Sequence, residues 1–100
     1  MQTLENIREQ LKQLKPYLKS NFSVKTIEVF GSYARNQQTN RSDVDILVTF
    51  HEPNDIDLFK FIELRLLLKD KLGIRVDLVE KKSLKPIIKD NVLKEAVPIE

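Results

Sequence analysis

Two strand-like runs, joined through a glycine-serine turn and a polar loop, constrain the fold of this chain more than any other feature of its sequence. The first run, predicted over 24–30, leads into the turn at Gly31 and Ser32, and the second, predicted over 43–50, begins with Asp43 and Asp45. Successive side chains of a strand point to opposite faces of a sheet, so the two aspartates should share one face while the residues between them enter the core. The sequence therefore predicts two neighbouring carboxylates at the start of a strand.

Carboxylates this close repel each other, which raises the pKa of one of them unless a divalent cation binds both. Mg²⁺ fits because it prefers oxygen and is usually held by one or two carboxylates together with waters and substrate phosphates. The Gly31 and Ser32 turn supplies the other half of such a site, because glycine permits close backbone approach and a helix beginning at Ser32 directs N–H groups toward an anion. If Ser32 and Asp43 share a ligand, the second strand must begin where the first ends, so the two strands run antiparallel.

Gly31 and Ser32, followed after ten further residues by Asp43 and Asp45, resemble the signature of the polymerase-β-like nucleotidyltransferase superfamily. The surrounding sequences, Gly-Ser-Tyr-Ala-Arg and Ser-Asp-Val-Asp-Ile-Leu-Val, resemble its small, single-domain MNT-type branch. The resemblance implies the fold of that superfamily and a Mg²⁺-dependent transfer of a nucleotide. The structural alternative is a plain turn at Gly31 with Asp43 capping the loop.

Asp77 is the third candidate carboxylate. It lies in a predicted strand over 74–80, which follows a helix that ends at Gly73. A strand-helix-strand crossover makes this strand parallel to the one that carries Asp45, so Asp77 can lie beside Asp45. The resemblance implies the same, because this family often carries a third carboxylate here, whereas the alternative is a solvent-facing aspartate on an edge strand.

The basic residues near these segments each have two interpretations. Arg35 either contacts a phosphate or an aspartate, or braces the loop that follows the short helix. Lys81, Lys82 and Lys85 either attract a triphosphate or form a solvated charged surface.

The remaining pattern predicts an α/β fold, with three strands in a mixed sheet and the element order α-β-α-β-α-β-α. Apolar residues at helical spacing predict a first helix over 3–15, which Pro16 ends or kinks. A later helix extends to about Leu72 and is apolar nearly all round, which predicts burial on two sides, either inside this domain or against another protein. Ser83 is predicted to cap a last helix over 84–96.

Length and composition limit the class of protein. One hundred residues predict a single domain, 1–100, and a net charge of +2 is too small to indicate direct binding of nucleic acid. The absence of cysteine excludes disulfides and thiol catalysis, and no apolar run approaches the roughly eighteen residues of a membrane span. A cytoplasmic protein that does not associate with membranes is therefore expected.

Members of the MNT-type branch act as antitoxins that pair with a HEPN-type ribonuclease toxin and transfer AMP to one of its tyrosines. The resemblance therefore implies ATP as substrate, two Mg²⁺ ions as cofactors and such a toxin as a hetero-oligomeric partner. Two alternatives stay open, namely transfer to a small molecule such as an aminoglycoside, and a catalytically inert module that neutralises its partner by covering it. The candidate residues are, for catalysis and metal binding, Asp43, Asp45 and Asp77 and, for the nucleotide, Gly31, Ser32 and Arg35.

Overall fold

Helices and strands alternate along the chain, as the hydrophobic pattern predicts. The computed structural model describes residues 2–100, and the α/β class is confirmed. The elements are α1 (Leu4–Phe22), β1 (Val24–Phe30), α2 (Gly31–Ala34), β2 (Val44–Phe50), α3 (Leu58–Leu72), β3 (Val76–Glu80), a 3-10 turn (Lys81–Ser83), α4 (Pro86–Glu95) and β4 (Val97–Pro98).

The sheet is mixed and has the strand order β3-β2-β1-β4. β1 and β2 pair antiparallel, with Phe30 opposite Asp45, and β2 and β3 pair parallel, with Asp45 opposite Asp77. Both predicted directions are confirmed by this pairing. The parallel direction of β2 and β3 is the one that a helical crossover produces. The end of β1 and the starts of β2 and β3 therefore meet at one end of the sheet, which we call the carboxylate end.

A fourth strand corrects the prediction of three. Val97 and Pro98 pair antiparallel with β1, and the N–H of Ile99 donates to the carbonyl of Ile27 at 3.0 Å. Proline is tolerated here because β4 is an edge strand, and the burial of Ile99 holds the segment in place. Two residues are too few for an alternating pattern to reveal a strand.

Helix α1 continues past Pro16, so the predicted end or kink near Lys15 is wrong as an end of the helix. Proline removes one backbone hydrogen bond at a cost of about 3 kcal/mol. Leu18 and Phe22 lie beyond it and are buried in the core, and each contributes roughly 1.5–3 kcal/mol, which offsets that cost. The helix ends at Phe22, and Ser23 caps it with a left-handed φ of 54°.

Helix α3 buries one face, so of the two alternatives that the sequence left open, burial on two sides inside this domain is wrong, and burial against another protein stays a prediction. Leu64, Leu68 and Leu72 are buried in the core. Phe61 and Leu67 are partly buried and pack against the core, whereas four other apolar side chains are exposed, with Phe59 exposed to 81%. Neither α3 nor any other helix within residues 2–100 has the length and apolar character that would let it cross a membrane. The apolar stripe of α3 is the name we give to Leu58, Phe59, Ile62 and Leu66.

The last helix begins later than predicted, and Ser83 does not cap it. Ser83 closes the 3-10 turn, and α4 starts at Pro86 after Lys85, which makes no side-chain capping bond. A proline disfavours helical backbone in the residue before it, so the helix cannot start before Pro86. α4 ends at Glu95, which brings this acidic residue back to the carboxylate end.

The core lies on one face of the sheet. Val44, Ile46 and Val48 of the central strand β2 are fully buried on the face that α1 and α3 cover. Asp45 lies between two of these residues and therefore faces the other side, as the alternation predicts.

Candidate active site

Asp45 and Asp77 lie side by side at the carboxylate end. Each is the second residue of its strand, and the parallel ladder of β2 and β3 places them opposite each other. Asp43 precedes β2, which begins at Val44 and not at Asp43 as predicted; the N–H of Val44 donates to the carbonyl of Arg75 at 2.9 Å. The predicted proximity of Asp77 to Asp45 is confirmed, and their chemical role stays a prediction.

The surroundings of Asp45 raise the pKa of its carboxyl group. Burial raises the pKa of Asp45 to about 6, and the neighbouring carboxyl groups of Asp77 and Asp43 add to this rise, while the charge of Arg35 opposes it. At neutral pH this end of the sheet therefore holds more negative charge than the neighbouring basic residues compensate.

Asp43 has a weak partner in Arg75. Its Oδ1 lies 3.0 Å from Nε of Arg75 without hydrogen-bond geometry, so this shielded oxygen has no donor within residues 2–100. The Arg75 side chain is 69% exposed and also donates from Nη2 to the carbonyl of Arg41 at 3.3 Å. Exposed pairs of this kind contribute at most about 1 kcal/mol, so a stronger cation can take the place of Arg75.

Gly31 follows β1 with a φ of +74°, in the left-handed region that favours glycine. A Cβ at this position would lie 2.9 Å from Cγ of Asp45 and closer still to its Oδ2. The sequence predicts close approach of a ligand to this glycine, whereas the structure shows that the carboxylate of Asp45 fills the space. Glycine is thus required both by the backbone conformation and by the neighbouring carboxylate of Asp45.

Ser32 lies in the single turn of α2, which begins one residue earlier than predicted. The carbonyl of Ser32 accepts the N–H of Gln37 at 2.8 Å, and the buried side chain of Tyr33 anchors the turn in the core. Within residues 2–100 the hydroxyl of Ser32 makes no hydrogen bond, which leaves it available to a ligand beside Asp45.

Glu95 is the residue of this region that sequence reasoning missed. Its Oε1 accepts the N–H of Gly31 at 3.0 Å, and its Oε2 pairs with Nη1 of Arg35 at 2.9 Å. Arg35 also donates from Nε to Oε1 of Gln37 at 3.1 Å, which favours the interpretation of Arg35 as a brace. The N–H of Gly31 is engaged and does not await an anion. A single glutamate at the end of a helix, 60 residues from Arg35, carries no signal in the sequence.

The lysines after β3 pair with carboxylates. Lys81 lies 3.6 Å from Glu28, and Lys82 lies 3.4 Å from Glu52 and 3.5 Å from Glu80. These pairs favour the interpretation of Lys81 and Lys82 as part of a charged surface.

A cavity of about 660 Å³ opens next to Asp43. It is lined by the 40–42 loop, by Arg75 and by the end of α3 with Lys69. A second cavity, of about 500 Å³, lies between α3 and the far end of β3, where Glu80 and Lys82 line it. The first cavity is lined by Ser42, which precedes Asp43, and by Arg75, which contacts Asp43, whereas none of the three candidate aspartates lines either cavity.

The aspartates fit a Mg²⁺ ion that brings ligands of its own. Within residues 2–100 no three His, Cys, Asp or Glu side chains are arranged to enclose a metal ion by themselves. Mg²⁺ usually takes only one or two carboxylates and completes its shell with waters and phosphates. The Oδ1 of Asp43, which contacts Arg75 but accepts no hydrogen bond within residues 2–100, and the crowding of Asp45 against Asp77 both fit that demand.

A family model described as nucleotidyltransferase domain matches residues 11–99. The chain belongs to this nucleotidyltransferase family. Its fold is therefore the polymerase-β-like nucleotidyltransferase fold, here with four strands in the mixed sheet. The nucleotidyltransferase is 50% identical over 97 residues to the protein adenylyltransferase MntA of Thermococcus cleftensis, and the match covers 97% of this chain and 96% of that protein.

Solved structures resemble this nucleotidyltransferase over most of its length. One, provisionally described as a minimal nucleotidyltransferase, has a TM-score of 0.78 and 35% identity, and the match covers 97% of this chain and 96% of that chain. Another, a toxin-antitoxin crystal structure with AMP-PNP, has a TM-score of 0.73 and 28% identity, covering 91% of this chain and 72% of that chain. The family match includes every candidate site residue named above.

Proposed function

We propose that this nucleotidyltransferase is an antitoxin that transfers AMP from ATP, with Mg²⁺, to a tyrosine hydroxyl of a HEPN-type ribonuclease toxin. The observation that carries the proposal is the pairing of Asp45 with Asp77 beside Gly31 in this fold. Support comes from the related protein adenylyltransferase MntA and from the similar toxin-antitoxin structure with AMP-PNP. We place the reaction in the cytoplasm, where ATP is available.

The nucleotide is proposed to bind between the aspartates of the carboxylate end and the turn that contains Ser32. Asp43 and Asp45 would hold the Mg²⁺ that arrives with the triphosphate, and Asp77 would contribute a ligand to a second Mg²⁺ beside the attacking hydroxyl. The metal supplies the positive charge that lets carboxylates and phosphates lie next to each other. The hydroxyl of Ser32 donates to a phosphate oxygen, and the guanidinium of Arg35, which is paired with Glu95, lies near enough to Asp45 to oppose the rise in the pKa of that carboxyl group.

The chemical step is an in-line displacement at the α-phosphorus. The tyrosine oxygen forms a new bond to phosphorus while the bond to the bridging oxygen breaks, and pyrophosphate leaves with that electron pair. Asp77 accepts the proton of the attacking hydroxyl, because its exposed carboxylate can pass the proton to water. The protein contributes position and charge, so no covalent intermediate is needed.

The toxin is proposed to bind at the apolar stripe of α3. Four large apolar side chains are exposed there on one helix, with Phe59 and Leu58 exposed most. Contiguous exposed apolar surface of this kind is typical of interaction sites. The buried face of α3, with Leu64 and Leu68, is not available to a partner.

The test combines this protein with a purified HEPN-type toxin, ATP and Mg²⁺, and weighs the toxin by mass spectrometry. We expect the wild type to add one or more AMP masses. Asp77→Asn should still bind ATP and the toxin but add no mass, because the proton acceptor is lost. Phe59→Asp should lose the toxin while keeping its melting temperature, because that side chain is 81% exposed.

Two outcomes would contradict the proposal. Suppression of the toxin's ribonuclease activity with no mass change and no need for ATP would identify a module that acts by covering its partner. AMP found on an aminoglycoside, and none on the toxin, would identify a small-molecule transferase.

A further inference from the structure

Glu95 connects α4 to the turn after β1. Its Oε1 accepts the N–H of Gly31 at 3.0 Å, and its Oε2 forms an ion pair with Nη1 of Arg35 at 2.9 Å. Both carboxylate oxygens are therefore engaged, and both partners belong to one short segment, 31–35. The side chain of Glu95 is only 26% exposed, so water weakens these charge-assisted bonds less than those of a surface pair.

The hydrogen bond from the N–H of Gly31 to Glu95 fixes the orientation of the Gly31 peptide group. An N–H at the start of a helix has no acceptor within that helix, so without Glu95 this donor would lose its partner. The Cα of Gly31 adjoins the carboxylate of Asp45, with no room even for a methyl group between them. A shift of this peptide group would therefore change how the turn meets Asp45.

At Arg35 the bond holds a charge in place. Glu95 binds Nη1 of the guanidinium, and Gln37 binds Nε at 3.1 Å. The guanidinium is near enough to Asp45 to act on its carboxyl group. Ser32 lies between the two residues that Glu95 holds, so the position of its hydroxyl depends on both.

We propose that Glu95 is a positioning residue for the AMP transfer, which keeps Ser32 and Arg35 in place beside Asp45 by binding Gly31 and Arg35. The inference rests on the proposed function. A competing interpretation is that Glu95 occupies a phosphate position and must leave before ATP binds. The pairing with Arg35 argues against it, because the neutral pair adds no net negative charge next to a triphosphate.

The first readout is independent of catalysis. The chain contains two glycines, so isotope-labelled glycine gives two backbone amide signals. We expect Glu95→Ala to speed the hydrogen exchange of the Gly31 amide about tenfold or more. Glu95→Gln keeps an acceptor oxygen and should have a smaller effect. The amide of Gly73, which donates to the carbonyl of Lys69 at 2.9 Å, is the internal control and should not change.

The second readout is AMP transfer. Glu95→Ala should lower kcat/KM about tenfold or more, Glu95→Gln should retain part of the activity, and Asp90→Asn, at an exposed position of the same helix, should match the wild type. Melting curves show whether each variant is folded, and if Glu95→Ala is not, Glu95→Gln carries the test.

Three results would overturn the inference. Unchanged Gly31 exchange in both Glu95 variants means that Glu95 does not hold the turn. Faster exchange with unchanged transfer means that Glu95 only attaches α4 to the domain. Tighter ATP binding by Glu95→Ala means that Glu95 blocks the site. Absence of transfer in the wild type as well would contradict the proposed function instead, and Gly31 exchange would still decide whether Glu95 holds the turn.

Discussion

Acidic residues at the two ends of the β2 and β3 pair have different neighbours: other carboxylates at one end and a lysine at the other. At the start of the strands, Asp45 lies opposite Asp77. At the far end, Glu80 and Glu52 share the ammonium group of Lys82, at 3.5 Å and 3.4 Å. Burial and neighbouring carboxyl groups raise the pKa of Asp45 to about 6, whereas Glu80 and Glu52 raise the pKa of Lys82.

The difference lies in the positive charge that the chain itself supplies. At the far end, Lys82 pairs with both glutamates. At the carboxylate end, Arg35 is already paired with Glu95, and Arg75 makes only an exposed contact with Asp43. Carboxylates that the fold gathers without compensation are typical of functional sites. The comparison supports the proposal that the carboxylate end receives a cation, whereas at the far end Lys82 supplies the positive charge.

The largest effect is expected from Gly31→Ala, with Gly73→Ala as its matched control. Both glycines have positive φ, of 74° and 72°, so both substitutions should cost about 1–2 kcal/mol in backbone strain. A Cβ at Gly73 meets nothing within 4 Å, whereas at Gly31 it collides with Asp45, which should cost about 1–3 kcal/mol more. Denaturant unfolding measures the stability difference, and AMP transfer should be lost only in Gly31→Ala. Equal behaviour of the two variants would show that Gly31 is an ordinary turn residue.

A smaller effect, with opposite signs for stability and activity, is expected from Asp45→Asn. The variant should lose Mg²⁺-dependent ATP binding, while the unfolding free energy of the ligand-free protein at pH 7 should rise by about 1–3 kcal/mol. Glu80→Gln at the far end should change neither ATP binding nor transfer. A marked loss of stability in Asp45→Asn would assign Asp45 a structural role.

The pH dependence of the unfolding free energy tests the same difference. Because the folded-state pKa of Asp45 is raised from 3.8 to about 6, its protonated form is favoured in the folded protein. Its contribution to stability is therefore fully present below about pH 4 and is lost as the pH rises through about 6. The difference between the wild type and Asp45→Asn, measured by denaturant unfolding, should grow across this interval. A constant difference would contradict the raised pKa.

The sequence predicts which aspartates lie at the carboxylate end, but it does not predict which other residues contact them. Asp45 and Asp77 follow from strand alternation and the handedness of the crossover, which are rules of local geometry. Glu95 and the strand β4 depend on contacts between distant parts of the chain, which no local pattern records. The actual reason for Gly31, the neighbouring carboxylate of Asp45, likewise needs three dimensions.

Calorimetric titration of the wild type with ATP, in the presence of Mg²⁺ and again in the presence of EDTA, tests the central claim most directly. The claim is that the carboxylates of Asp43, Asp45 and Asp77 accept a triphosphate only when it arrives with a divalent cation. We expect saturable binding with Mg²⁺ and none with EDTA, because uncompensated carboxylates repel the phosphates. Equal affinity under both conditions would contradict a metal-dependent site at this end of the sheet.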